Sequence, residues 1–220
     1  MGEQKEYLIR RAAGPVRLAC EDAAWETAER LLVDEHPWYV SGEKRQTDVA
    51  MLYGPETLWV LFVCQDRHIS AVETRPNGNV YLDSCVELFA MPDPGGDGGY
   101  FNLEANCCGT VHLGFGPGRE GRRLADPSVL NQICVATSIP IPTKAESPAD
   151  DGWWLAAAIP FAAVSELAGR PVQPASGSTW RANLNRCGGQ TDVQYACWNP
   201  IDCDKPDYHR PESFGTLRFE

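Results

Sequence analysis

Three stretches of this sequence place hydrogen-bonding side chains on alternate residues, the spacing that puts them on one side of an extended chain. In Phe101–Asn106 one side carries Asn102, Glu104 and Asn106, and the other Phe101, Leu103 and Ala105. In Trp180–Asn185 the polar side is Arg181, Asn183 and Asn185, against Trp180, Ala182 and Leu184. In Val86–Met91, Glu87 stands opposite Val86, Leu88 and Ala90, on the side of Phe89 and Met91. A solvated outer face is the common fate of such alternation. Asn and Glu are poor strand formers, however, so their presence here asks for a compensating role. Amides, carboxylates and guanidinium groups fixed beside aromatic rings suit a sugar. Its hydroxyl pairs need matched donors and acceptors, and the apolar side of its ring packs on an aromatic face.

The elements that must hold these groups are mostly strands. Thr47–Tyr53 alternates, and Gly54–Pro55 turns the chain into the continuous apolar run Leu58–Cys64, which predicts a central strand. Val86–Met91 and Tyr100–Asn106 flank the glycine-rich turn at 92–99, and Thr110–Phe115 follows Gly109. Residues 116–126 are polar, rich in Gly and Arg, and predict an exposed loop. Further strands are expected over Asn131–Ile139, Trp153–Pro160, Trp180–Arg186 and Thr216–Phe219, with short helices over Phe161–Ala168 and Ala23–Leu32. Many strands between turns, with little helix, predict an all-β antiparallel sandwich. No repeat or composition shift marks a boundary, so residues 1–220 read as one domain.

Composition agrees with that reading. Hydrophobic residues at 43% suffice for a real core, and 20 Gly with 17 Pro suit many turns. A formal net charge of −11 repels phosphate backbones and anionic lipid, so neither nucleic acid nor membrane is an expected partner. No apolar stretch of signal-peptide or membrane-span length is present, which predicts a cytoplasmic location unless a leader has been removed. The nine cysteines are odd in number and include no C-x-x-C, so they are expected to be reduced and structural, with Cys64, Cys85 and Cys134 packed as small hydrophobes. Cys187, Cys197, Cys203 and His209 match no standard zinc spacing, so no metal site is expected, and His112 and His209 read as surface or structural residues.

In order along the chain, Trp25, TDVAMLYGPETLWVLFVCQD, VYLDSCVELFAMP, YFNLEANCCGT, WWLAAAIPF, WRANLNR with CWNP, and PESFGTLRF together resemble the family 9 carbohydrate-binding modules, and more closely their family 9-like relatives. The resemblance runs from about Trp25 to Phe219 and implies a jelly-roll or DOMON-like antiparallel sandwich. It also implies non-catalytic recognition of a sugar or oligosaccharide end, in carbohydrate catabolism beside a glycoside hydrolase. Members clamp sugar between two Trp rings. Tyr81 takes the first aromatic position and Trp198 is the candidate second. Glu87 matches the signature Glu, while Glu104 falls near a position where binding members carry Arg, so Arg181, Asn183 and Arg186 are the candidate replacement donors. No cofactor is expected except that the family admits calcium, for which Asp66 is the candidate ligand although no Asp-rich calcium loop is present.

Two other readings stand beside this one. Glu87, Glu104 and Asp83 supply enough carboxylates for a glycoside hydrolase, if two flank a cleft at the right separation. Alternatively the sugar site has decayed and an interaction domain remains, which Tyr81 and Glu104 support; Glu87 also reads as an ion-pair partner of Arg181 or Arg186, and Asp83 as a turn cap.

Overall fold

A computed structural model describes residues 4–96, 98–143 and 145–220. In chain order the strands are β1 (Glu6–Arg11), β2 (Leu31–Leu32), β3 (Thr47–Tyr53), β4 (Thr57–Gln65), β5 (Cys85–Met91), β6 (Tyr100–Asn106) and β7 (Val111–Gly116). They continue with β8 (Arg123–Leu124), β9 (Cys134–Thr137), β10 (Gly152–Pro160), β11 (Thr179–Cys187), β12 (Ala196–Cys197) and β13 (Gly215–Phe219). The helices are α1 (Pro127–Leu130) and α2 (Phe161–Ala168), the second ending where Gly169 adopts a left-handed φ of 71°.

The strands join in the order β8-β7-β6-β5-β11-β13-β1-β3-β4-β10-β9, with β12 on β11 and β2 on β3. The path curls back on itself through β1. Residues Glu6–Ile9 pair with β13, and Arg10 and Arg11 pair with β3, both in parallel; every other ladder is antiparallel. The two halves thus face each other as a sandwich. Val86, Leu88, Ala90, Leu103, Trp180 and Leu184 point inward from one half, and Val49, Met51, Val60, Phe62, Leu155 and Ile159 from the other.

Each outer face is covered as well. Trp25 sits over Ala50, Leu52, Leu61 and Ala156 on the β3-β4-β10 side. On the β6-β5-β11 side, Ile201, Tyr208 and Phe214 from the chain beyond β12 pack on Phe89, Tyr100 and Cys187. That second cover encloses a polar face that would otherwise meet water.

Several expectations are corrected here. Ala23–Leu32 is only a 3₁₀ turn over Ala23–Thr27, capped by Asp22, followed by β2. Asn131–Ile139 contributes only β9, because Pro127 starts a helical turn just before it. Residues 116–126 are not wholly exposed: β8 pairs with β7 and draws Arg122 inward. All nine cysteines are free thiols, but Cys134 is exposed on the edge strand rather than packed.

Candidate functional site

Register sets the site. Across β7, β6, β5 and β11, His112 stands opposite Glu104, Glu104 opposite Glu87, and Glu87 opposite Asn185. One step along, Asn102 stands opposite Phe89, and Phe89 opposite Asn183. Because strands sit about 4.8 Å apart, these side chains form a continuous polar shelf. The 3₁₀ turn Val80–Leu82 puts Tyr81 at its rim, 48% exposed. The segment bearing Tyr208 and His209 roofs the shelf and leaves a cavity of about 380 Å³.

Of the sequence-derived residues, Tyr81, Glu87, Asn102 and Glu104 line this one cavity. Five others do not. Asn106 is fully buried and donates to Glu73 O (2.9 Å) and Asp83 Oδ2 (2.8 Å), tying down the loop before Tyr81. Arg181 donates to the carbonyls of Phe214 and Gly215 beside β13. Asn183 is capped by the backbone of Asn199, accepting at 2.9 Å and donating at 3.1 Å. Arg186 points to the opposite face, into the sandwich, where it pairs with Asp66 at 2.6 Å. It is therefore no partner of Glu87, and neither is Arg181. Trp198 belongs to the main core, 4% exposed, and is no stacking platform.

Asp66, the candidate calcium ligand, is engaged by protein on one carboxylate oxygen. The carboxylate is buried, and its Oδ2 accepts from Trp153 Nε1 at 2.8 Å and pairs with Arg186 at 2.6 Å. Asp83 accepts from the backbone amides of Val72 (3.0 Å) and Glu73 (2.9 Å), a structural cap.

The other cavity residues include Arg119 and Arg122, from the loop expected to be exposed, and His112 and His209, expected to be surface or structural. Arg122 donates to Asn102 Oδ1 and to Gly118 O (2.8 Å), with its guanidinium 4.5 Å from the Tyr100 ring centre. Asn102 Nδ2 in turn donates to Glu104 Oε1 at 2.8 Å, so a chain of polar contacts runs Arg122–Asn102–Glu104 along the wall. Arg119 reaches in from the same loop, paired to Asp207 at 2.7 Å. His112 Nδ1 faces two carbonyls, Asn77 O and Gly78 O, both at 3.2 Å. Carbonyls only accept, so Nδ1 carries a proton and a neutral ring offers Nε2 as an acceptor. The signal for Arg119 and Arg122 was their spacing in an otherwise glycine-rich loop; nothing local said that the loop folds inward.

Burial pushes the Glu87 carboxyl well above the usual carboxylate range, with Cys187 and the facing Glu104 adding to the effect. Burial also raises Glu104, opposed by His112, Asn102 and Arg122. Both acids are thereby biased toward the protonated form, which can donate as well as accept.

His209 lies 2.8 Å from Tyr100 Oη and packs on Phe89. Burial, then Arg122 and Arg119, hold it down at about 3 against an ordinary 6.5, with His112 acting in the same direction and Asp207 opposing. The unfolded chain takes up this proton near 6.5 and the folded chain resists it until about 3. Stability present above pH 6.5 is therefore lost as pH falls through that window. His209→Gln is expected to remove roughly 1–3 kcal/mol of that acid sensitivity, discounted for partial exposure. Denaturant midpoints measured from pH 7 to pH 4 check this; parallel curves for the two proteins would contradict it.

A profile of carbohydrate-binding family 9 matches residues 15–219. Among solved structures, a candidate carbohydrate-binding protein from Bacteroides uniformis is 25% identical, covers 99% of this chain and 100% of its own, and superposes with a TM-score of 0.86. A family 9 module from Caldicellulosiruptor kristjanssonii, solved with glucose, is 13% identical over 98% of this chain and 96% of its own, at a TM-score of 0.65. Its cellotriose complex gives 13%, 98%, 94% and 0.64. At that identity the two complexes speak for the shared sandwich. No curated protein matches significantly.

Proposed function

The chain belongs to carbohydrate-binding family 9, and on that premise we propose that the cavity over β5, β6 and β11 is its sugar site. The observation that carries this reading is convergence. Tyr81, Glu87, Asn102 and Glu104, drawn from a turn and two strands, meet Arg119, Arg122 and His209 around one hollow. Its volume of about 380 Å³ falls in the ~300–1,000 Å³ range of small-molecule sites. Tyr81 at the rim offers a ring face for stacking, and the shelf offers donors and acceptors within reach of ring hydroxyls. Departure from a double-Trp clamp is supported by Trp198 lying in the core, while Tyr81 and Tyr195 put tyrosine rings on this cavity.

Recognition without cleavage is the reading the carboxyls favour. A glycosidase separates its two acids, keeping one protonated and one ionised. Here burial pushes Glu87 and Glu104 in the same direction. A setting in polysaccharide breakdown, beside a glycoside hydrolase, is part of this proposal.

Calorimetric titration of the full chain against glucose, cellotriose and a panel of neutral oligosaccharides tests it. Saturable binding at millimolar sugar or below is expected, with no reducing sugar released. Tyr81→Ala should lower affinity about 10-fold through loss of ring stacking, with an unchanged melting temperature because the side chain is half exposed. No heat from any sugar in the panel would overturn the proposal.

A further inference from the structure

The floor of the cavity holds two thiols, beside Glu87, that stacking and hydroxyl recognition leave unused. Cys85 opens β5 and Cys187 closes β11, and the two stand directly opposite each other in the antiparallel register. Glu87 lies two residues along β5 from Cys85, hence on the same face. The ligand atoms of Cys85, Glu87 and Cys187 all lie within 4.8 Å of one another, the one such convergence among the described residues. The earlier candidates Cys197, Cys203 and His209 do not join it.

We propose that Cys85, Glu87 and Cys187 form a three-ligand site for a soft divalent cation, Zn²⁺ by its chemistry, with the fourth position open to the cavity. Two sulfurs and one carboxylate oxygen select zinc over calcium or magnesium, which prefer all-oxygen shells. Three protein ligands with one open position is the arrangement of zinc sites that accept an exchangeable ligand. Tetrahedral zinc, with bonds of about 2.3 Å to sulfur and 2.0–2.2 Å to oxygen, needs donors about 3.6–3.8 Å apart. The widest gap in the cluster, at most 4.8 Å, therefore has to close by about an ångström and the 3.2 Å Cys187–Glu87 contact has to open slightly, both within the reach of side-chain rotation.

The surroundings suit such a site. Cys187 Sγ already faces Glu87 Oε1 at 3.2 Å. The other oxygen, Oε2, accepts from Asn185 Nδ2 at 3.2 Å, the outer contact that orients a metal-binding carboxylate. Asn185 is fully buried and its Oδ1 has no hydrogen-bond partner, so a polar atom beside the cluster awaits a donor such as metal-bound water. Both sulfurs sit on strands, and the turn after Cys187 is fixed by Gly188. Its φ is 93°, and an added Cβ would fall 1.4 Å from Asp83 O. Glu87 and Cys187 line the cavity, which supplies the entry path.

The full chain, kept reduced and free of sugar, would be titrated with Zn²⁺ alone by calorimetry and with Co²⁺ by absorption. One equivalent per chain is expected, with a thiolate-to-cobalt charge-transfer band. Cys85→Ser and Cys187→Ser should each weaken binding more than about 100-fold, and Glu87→Gln about 10-fold. Cys134→Ser, on the exposed edge strand, should change nothing. If a serine variant fails to fold by circular dichroism, zinc protection of Cys187 from alkylation in the wild type carries the test instead. The proposal falls if wild type takes up no equivalent at micromolar zinc, if binding persists without both cysteines, or if cobalt shows no thiolate band. Because no sugar is present, these outcomes are separate from the sugar titration.

Discussion

Arg186→Ala is expected to cost about 3–5 kcal/mol of unfolding free energy, the usual penalty for stranding one partner of a buried ion pair. Arg186 and Asp66 are 2% and 4% exposed and 2.6 Å apart. The guanidinium also donates to Thr47 Oγ1 at 3.3 Å and lies 5.3 Å from the Trp153 ring centre. Thr47 opens β3 and Asp66 follows β4, while Arg186 is on β11, so the pair ties the two halves of the sandwich together. Its removal strands the Asp66 carboxyl inside, beside the Trp153 indole N–H. Chemical denaturation of both proteins at neutral pH measures the loss. Sugar affinity of the folded variant should match wild type, since Arg186 is on the face away from the cavity. A stable variant that had lost sugar binding would reverse the assignment.

Arg122→Ala is expected to weaken sugar binding about 100-fold while lowering the melting temperature by only a few degrees. Loss of a charged donor in an enclosed site costs roughly 2–3 kcal/mol in binding. Two effects combine. The cavity loses a fork of N–H donors, and Asn102 loses the contact that fixes which end of its amide faces Glu104. Arg122→Lys should recover little of the affinity, because a single ammonium cannot stack on Tyr100 and bridge Asn102 and Gly118 at once. Calorimetry with the tightest sugar of the panel decides this. Affinity within threefold of wild type would show that Arg122 supports the wall without touching the ligand.

The sequence by itself determined most of the long strands and their two faces, though not β1, through which the sheet closes. Period-two alternation located Thr47–Tyr53 and Tyr100–Asn106 to the residue, because each buries one face against a core and strand geometry leaves no other phase. The helix at Phe161–Ala168 was equally legible, started by Pro160 and stopped by Gly169. Parity alone also places Arg186 with Trp180, Ala182 and Leu184, on the inner side, against its role as a replacement donor drawn from the resemblance.

Tertiary structure decided what covers the outer face. Alternation separates inside from outside but carries no information about a segment arriving from a hundred residues away. The chain beyond β12 crosses the face of β5, β6 and β11. Asn199 closes over Asn183, Tyr208 and His209 roof Glu87 and Glu104, and an apparently solvated shelf becomes a partly covered cavity. The same long-range packing took Trp198 into the core and turned Arg122 inward. Burial is a property of the assembled layers, and so are the raised carboxyls and the depressed imidazole that follow from it.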